Sequence, residues 1–342
     1  MNESRPVRVL VVDDSAFARK VLRETLSVSP ALEVVGVARD GLEALEKIAE
    51  LHPDVVTLDL IMPNLDGLGV LRALPATGGP RVVIVSISDS ESALGVEALQ
   101  MGAVDLVQKP TALATDRLYE LSAELVEKVI AAGGARRRII APAAAPVVVR
   151  PARGTVRLVV IGTSTGGPQA LTRLLTSLPR DLRCAVAVAL HIPPGYTEAL
   201  AKRLNDACAL EVFEASEGAE LRPGTVAIAR GGMHLRVRRA GMSLTAHLDA
   251  KATSSPFCPS VDALFESAAL ALGPAVLGVV LTGMGNDGLE GARAIAGARG
   301  RTLTESETSC VVYGMPRSVV EAQLSVGNAP IEEMAELIVR NL

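Results

Sequence analysis

The sequence predicts an α/β fold built twice: two mostly parallel, doubly wound domains joined by a tether. Three observations carry that reading. Short β-branched apolar runs alternate with longer stretches of helical period throughout the chain, the pattern of strand–helix units that place strands side by side in parallel. Several of those runs are continuous rather than alternating, as strands covered on both faces require. Residues 131–154, AAGGARRRIIAPAAAPVVVRPARG, interrupt the alternation with a Gly pair, an Arg run and three prolines, a composition suited to an extended tether. The length of 342 residues fits about two domains.

In the first half, strands are predicted at Arg8–Val12, Val34–Val37, Val55–Leu58, Val82–Ser86 and Asp105–Val107. Helical period fills the gaps. In Gly41–Glu50 it groups Leu42, Leu45, Ile48 and Ala49 on one face. The tether follows, with Arg136–Arg138 read as solvated charge. Beyond it, strands are predicted at Leu158–Ile161, Cys184–Leu190 and Val276–Leu281. Between the last two, Gly224–Ala229 reads as a shorter strand, and Leu235–Val237 with Ser243–His247 as a small hairpin turning at Arg239–Met242. The uncharged stretch Ala268–Gly285 is about long enough to cross a bilayer. Gly273-Pro274 interrupts it, so it reads as a helix, a break and a buried strand.

Composition removes whole classes of function. Thirty-four basic against thirty-eight acidic residues give a net charge of −4, without the basic excess of a broad nucleic-acid-binding face. With no Trp, three Tyr and four Phe, base-stacking platforms and membrane-interface belts are poorly supplied. Cys184, Cys208, Cys258 and Cys310 lie far apart, which suits neither a disulfide framework nor a zinc cluster. The opening MNESRPVRVLVVDD lacks the apolar core of a signal peptide. The chain therefore reads as cytoplasmic, not membrane-inserted, and without a nucleic-acid partner.

Chemistry in a doubly wound sheet gathers at the carboxyl ends of the strands. There the first predicted strand runs into Asp13-Asp14, the third ends at Asp59, the fourth at Ser86, and the fifth is followed by Lys109-Pro110. Three carboxylates brought together repel unless a cation neutralises them, and Mg2+ sits readily among carboxylates, waters and phosphate oxygens. A Lys ammonium and a hydroxyl would stabilise the charge that a phosphoryl group brings to Asp59. On VLVVDDSAFAR, VVTLDLIMPNLDG, VVIVSIS and LVQKP, residues 7–125 resemble a response-regulator receiver domain, which has a flavodoxin-like fold. The resemblance implies phosphorylation at Asp59 and switch roles for Ser86 and Lys109. It further implies Mg2+ held by Asp13 and Asp59 with help from Asp14 and the backbone carbonyl of Ile61.

In the second half, strand Leu158–Ile161 runs into Gly162-Thr163-Ser164-Thr165-Gly166-Gly167-Pro168. A strand, G-x-S-x-G and a helix suit a nucleophile elbow, and equally a phosphate-binding glycine loop. A nucleophilic Ser needs a base within hydrogen-bond reach. Of the four His, His52 belongs to the first half, His247 sits in an alternating strand, and His234 follows Gly231-Gly232 and remains a candidate. His191 directly follows a buried strand and is the favoured base. Strand Val276–Leu281 leads to Asp287 in the glycine-rich GMGNDG, a partner to orient the imidazole and also a suitable cap for a helix beginning near Leu289.

The order Ser, His, Asp, the segments GTSTGG, LHIPPGYT, GGMHL, CPSVDALF, LTGMGNDG and SCVVYGMPR, and the receiver in front resemble the CheB family of chemotaxis methylesterases over the whole chain. The resemblance implies a receiver at 7–125, a linker at 126–153 and a catalytic methylesterase domain at 154–342. It implies Ser164 as nucleophile, His191 as base, Asp287 as its partner and the Met284 N–H in an oxyanion hole. The activity implied is demethylation of glutamate methyl esters on chemoreceptors and deamidation of selected receptor glutamines, with no cofactor for hydrolysis and a histidine kinase as phosphodonor. A general carboxylesterase and a signalling adaptor are the competing readings.

Overall fold

The computed structural model describes residues 5–75, 78–86, 92–109, 115–134, 156–250 and 257–342. The chain divides into two compact units, Met1–Arg137 and Arg138–Leu342.

The first unit is a five-stranded parallel sheet of β1 (Val7–Val12), β2 (Leu32–Ala38), β3 (Val55–Leu58), β4 (Arg81–Ser86) and β5 (Asp105–Gln108), in the order β2-β1-β3-β4-β5. The helices are α1 (Ala16–Ser27), α2 (Gly41–Leu51), α3 (Gly67–Ala73), α4 (Ser92–Gln100) and α5 (Thr115–Gly134). Helix α1 packs with α5, while α3 packs with α2 and α4. This is the flavodoxin-like order, with its switch point between β1 and β3. Ser15, Asp40 and Asp66 cap α1, α2 and α3 by accepting backbone N–H groups of the first turn.

Two expectations need correction here. The inner face of α2 is centred on Gly41 and Ala44, with Leu45 and Ile48 at its margin, while Leu42 and Ala49 are exposed. The helix approaches its neighbours through the small residues of its first turn: a Cβ at Gly41 would lie 2.4 Å from the Leu65 carbonyl oxygen. The linker was expected from residue 126, yet α5 continues to Gly134, so 126–134 are helical. Leu125, Val129 and Ala132 recur at helical spacing and are fully buried, which extends the helix past its composition boundary. Residues 135–153, with Arg136–Arg138, lie outside the described residues.

The second unit holds a seven-stranded parallel sheet of β6 (Leu158–Thr163), β7 (Ala185–Leu190), β8 (Glu211–Glu214), β9 (Thr225–Ile228), β12 (Val276–Val280), β13 (Arg301–Glu305) and β14 (Ser325–Ala329). The order is β14-β13-β12-β6-β7-β9-β8. Strands β10 (His234–Ala240) and β11 (Ser243–Asp249) form a separate antiparallel hairpin around Gly241-Met242, with strands longer than the sequence suggests. Helices α6 (Gly167–Ser177), α7 (Thr197–Ala207) and α11 (Ile331–Val339) pack together, as do α8 (Val261–Leu272), α9 (Leu289–Gly297) and α10 (Met315–Glu321). Helix α8 lies between the sheet and the hairpin, burying Leu264, Phe265 and Ala268 against Val160, Leu235 and Val237 in one apolar core. The uncharged 268–285 stretch is the end of α8, a 3-10 turn at Gly273–Ala275, and β12. Among the described residues no helix is long and apolar enough to cross a membrane.

Candidate functional site

From β6 the chain lays down β7, then β8 at the edge and β9 between them, and returns to the other side of β6 to lay down β12, β13 and β14. That reversal creates a crevice at the carboxyl ends of β12, β6 and β7. Ser164 follows β6, His191 follows β7, and Asp287 lies in the loop after β12. Three neighbouring strands thus deliver the three side chains to one end of the sheet, all of them buried.

Ser164 sits on a tight turn. Its N–H donates to the Thr282 carbonyl (3.0 Å), its own carbonyl accepts from Gly167 N–H (2.7 Å), and Gly166 turns the chain with φ 78°. The loop after β12 presses on it: a Cβ at Gly283 would lie 2.9 Å from Ser164 Cβ. His191 is fixed by its N–H to the Thr163 carbonyl (3.1 Å) and by Phe257, whose ring stacks on the imidazole at 4.1 Å and 14°. His191 Nε2 bonds Asp287 Oδ2 at 2.7 Å, while Nδ1 is buried and makes no hydrogen bond. With Nε2–H donating to the carboxylate, Nδ1 carries the free lone pair.

Asp287 has four donors. Oδ2 also accepts from Val261 N–H (2.8 Å), and Oδ1 accepts from the Ser260 hydroxyl (3.1 Å) and Asp262 N–H (3.1 Å). Burial pushes its carboxyl up, but the bond and charge of His191 and the N–H groups of Val261 and Asp262 outweigh that and hold it below the ordinary value. Asp287 therefore serves the start of α8, whereas the sequence offered it as a cap for the following helix; α9 (from Leu289) is instead preceded by Gly288, which has no side chain to cap it. Met284, half-buried, lies between Gly283 and Gly285 in the same loop. The Gly283 carbonyl accepts from Gly314 and Met315 N–H (3.0 and 2.9 Å), which ties the loop to the start of α10.

The other His side chains lie outside this group. His234 is buried, and its Nδ1 accepts from Ser260 N–H (3.1 Å). His247 pairs with Glu217 (2.9 Å) on the hairpin, and His52 ends α2 in the left-handed region. Sequence reasoning did not single out Phe257, Asp262 or Glu305. Glu305 is fully buried at the end of β13; burial pushes its carboxyl up, while it accepts from Thr282 N–H (2.8 Å) and the Ser309 hydroxyl (2.7 Å). The only sequence signal for it is an acid closing a short strand.

In the first unit, Lys109 Nζ lies 2.6 Å from Asp59 Oδ2 and 2.9 Å from Asp13 Oδ2. Lys109 N–H donates to the carbonyl of the fully buried Ser86 (2.6 Å). Burial pushes Asp59 up to about 6, reinforced by the charge of Asp13 and opposed by Lys109. One carboxylate oxygen each of Asp13, Asp14 and Asp59 lies within 4.8 Å of the others. Asp59 Oδ1 is buried without a hydrogen-bond partner. Hard oxygen donors and an orphaned carboxylate oxygen fit a small divalent cation. Asp14 and Ile61 are exposed beside them.

A sheet with a carboxylate–lysine cluster, joined in one chain to a second sheet with Ser, His and Asp on neighbouring strand ends, defines the class of a receiver-linked hydrolase. Residues 9–120 match the response regulator receiver domain and residues 159–338 the CheB methylesterase family. The chain belongs to the CheB methylesterase family. It is 62% identical to protein-glutamate methylesterase/protein-glutamine glutaminase 5 of Myxococcus xanthus, over 98% of each chain. It is 43% identical to the protein-glutamate methylesterase/protein-glutamine glutaminase of Halalkalibacterium halodurans, over 99% of each. The crystal structure of the Thermotoga maritima CheB methylesterase catalytic domain aligns with a TM-score of 0.54 at 35% identity, covering 55% of this chain and all of that one.

Proposed function

We propose that the chain is a phosphorylation-regulated protein-glutamate methylesterase and protein-glutamine glutaminase in which Ser164, His191 and Asp287 carry out acyl transfer on chemoreceptors. The observation that carries this is the imidazole of His191, bonded to Asp287 through Nε2 with Nδ1 buried and unbonded. Nδ1 takes the hydroxyl proton of Ser164 as Oγ attacks the ester carbonyl. The N–H of Met284 stabilises the resulting oxyanion. Asp287 stabilises the imidazolium without taking its proton. The tetrahedral intermediate collapses, the imidazolium returns its proton to the departing methoxide, and methanol leaves. Water, deprotonated by the same Nδ1, then splits the acyl-enzyme into glutamate and free Ser164. With a glutamine side chain, ammonia replaces methanol as the leaving group. Hydrolysis uses no cofactor in this scheme.

The receiver, 7–125, controls the hydrolytic unit, which begins near residue 154. Asp59 takes the phosphoryl group from a histidine kinase. Asp13, Asp59 and the Ile61 carbonyl, with Asp14, would hold Mg2+, which would neutralise charge on the incoming phosphoryl group. Lys109 and Ser86 then read the modified Asp59. The enzyme works in the cytoplasm on the receptors' cytoplasmic portions.

The test is release of radiolabelled methanol from methylated receptor membranes, with and without a phosphodonor. Release that is stimulated by phosphodonor and lost in Ser164→Ala supports the assignment. Faster hydrolysis of p-nitrophenyl acetate than of methylated receptor would identify a general carboxylesterase instead. Full signalling output from Ser164→Ala would identify an adaptor.

A further inference from the structure

The loop bearing Asp287 is held by a second carboxyl group that the reaction above does not use. Asp262, in the first turn of α8, accepts hydrogen bonds at Oδ1 from the N–H groups of Gly288 (2.9 Å) and Gly291 (2.7 Å) at the start of α9. Asp287, just before α9, does the reverse at the start of α8 with Val261 and Asp262. Each helix is capped by the other's carboxylate. The exchange answers a local need: the first N–H groups of α9 have no intrahelical partner, and Gly288 has no side chain to supply one. Close packing enforces it, since a Cβ at Gly288 would lie 2.9 Å from Val261 Cγ1.

We propose that Asp262 is a positioning residue of the hydrolytic site: its cap on the start of α9 fixes the loop from Met284 to Gly288, and with it the place of Asp287 against His191. The inference rests on the Ser164–His191–Asp287 reading above. Two carboxyl groups in contact resist double ionisation, and environments that push such a pair apart assign different duties to each. Burial and the charge of Asp287 push Asp262 up to about 7 against the pull of the Gly288 and Gly291 N–H groups. Asp287 is held low by His191 and the α8 N–H groups despite its burial.

Asn at this position keeps an acceptor for both α9 N–H groups and stays neutral at every pH. Ala keeps neither acceptor nor acid. The experiment measures kcat and KM of the full-length protein on methylated receptor membranes, with thermal melting of each variant. Asp262→Asn retains kcat within about threefold of wild type, while Asp262→Ala loses about 100-fold in kcat with little change in KM. A folded Asp262→Ala within about threefold of wild-type kcat, or an Asp262→Asn as slow as Asp262→Ala, overturns the proposal. If Asp262→Ala does not fold, Asp262→Asn decides alone, and a loss of more than about threefold in its kcat overturns the proposal. Failure of the underlying triad reading looks different: Ser164→Ala and Asp287→Ala would then remain active whatever position 262 holds.

Discussion

Replacing Asp287 by Asn changes one oxygen to an amide and disturbs two things that can be measured apart. All four groups around the carboxylate donate: His191 Nε2, Val261 N–H, Asp262 N–H and the Ser260 hydroxyl. An Asn side chain offers one oxygen and two donor hydrogens, so no orientation satisfies all four. With its oxygen toward His191 and Val261, its NH2 opposes Asp262 N–H. With the amide reversed, NH2 faces Nε2, which must then accept, and the ring proton moves to Nδ1, the nitrogen that has to receive the proton of Ser164. The first arrangement leaves a buried N–H unsatisfied, at about 1–3 kcal/mol of stability. The second presents the wrong tautomer, which in a Ser-His-Asp triad lowers kcat by about 10⁴, or about 5 kcal/mol of barrier. Steady-state methanol release and thermal melting of the same preparation read the two effects. The acid dependence adds a third. The folded carboxyl lies below its ordinary value, so its contribution to stability is present above about pH 4 and is lost as pH falls through the folded value. The Asn variant does not titrate and should show a shallower acid destabilisation. A folded Asp287→Asn variant within tenfold of wild-type kcat would refute the reasoning.

Three further outcomes follow from the same geometry. Ser164→Ala and His191→Ala should each cost several orders of magnitude in turnover and the double variant little more, because triad members act as a unit; additive losses in steady-state kinetics would sink the assignment. Gly283→Ala places a Cβ 2.9 Å from Ser164 Cβ and 2.3 Å from Met315 Sδ. Met315 can move but the nucleophile turn cannot, so methanol release should fall about 100-fold while phosphoryl uptake is unchanged; wild-type turnover would show that the loop yields. Asp59→Ala should keep basal methanol release and lose both 32P incorporation from acetyl phosphate with Mg2+ and the accompanying stimulation, and a variant still labelled would place the acceptor elsewhere.

Much of the architecture is legible in the residues because buried parallel strands need continuous apolar runs, and β1, β4, β6, β7 and β12 have them. Strands β8, β13 and β14 escape notice because they lie toward the sheet margins, are short, and carry polar residues such as Glu211, Arg301 and Asn328. The face of α2 is misread because periodicity weighs large residues, whereas its contact is made through Gly41 and Ala44. The helical end of α5 is hidden by Ala-Ala-Gly-Gly, a composition that suggests a tether until Val129 and Ala132 find a core to cover.

By itself the sequence determined which polar groups stand at strand ends: Asp13, Asp59 and Lys109 in one unit, Ser164, His191 and Asp287 in the other. A polar residue that terminates a buried apolar run must emerge at the edge of a parallel sheet, so its place follows from local pattern alone. Tertiary structure decided which of these edges meet. It set β12 and β7 on either side of β6, chose Nε2 rather than Nδ1 for Asp287, stacked Phe257 on His191 and crossed the caps of α8 and α9. Strand order, ring orientation and cap exchange depend on contacts between segments distant along the chain, and no local pattern of side chains encodes them.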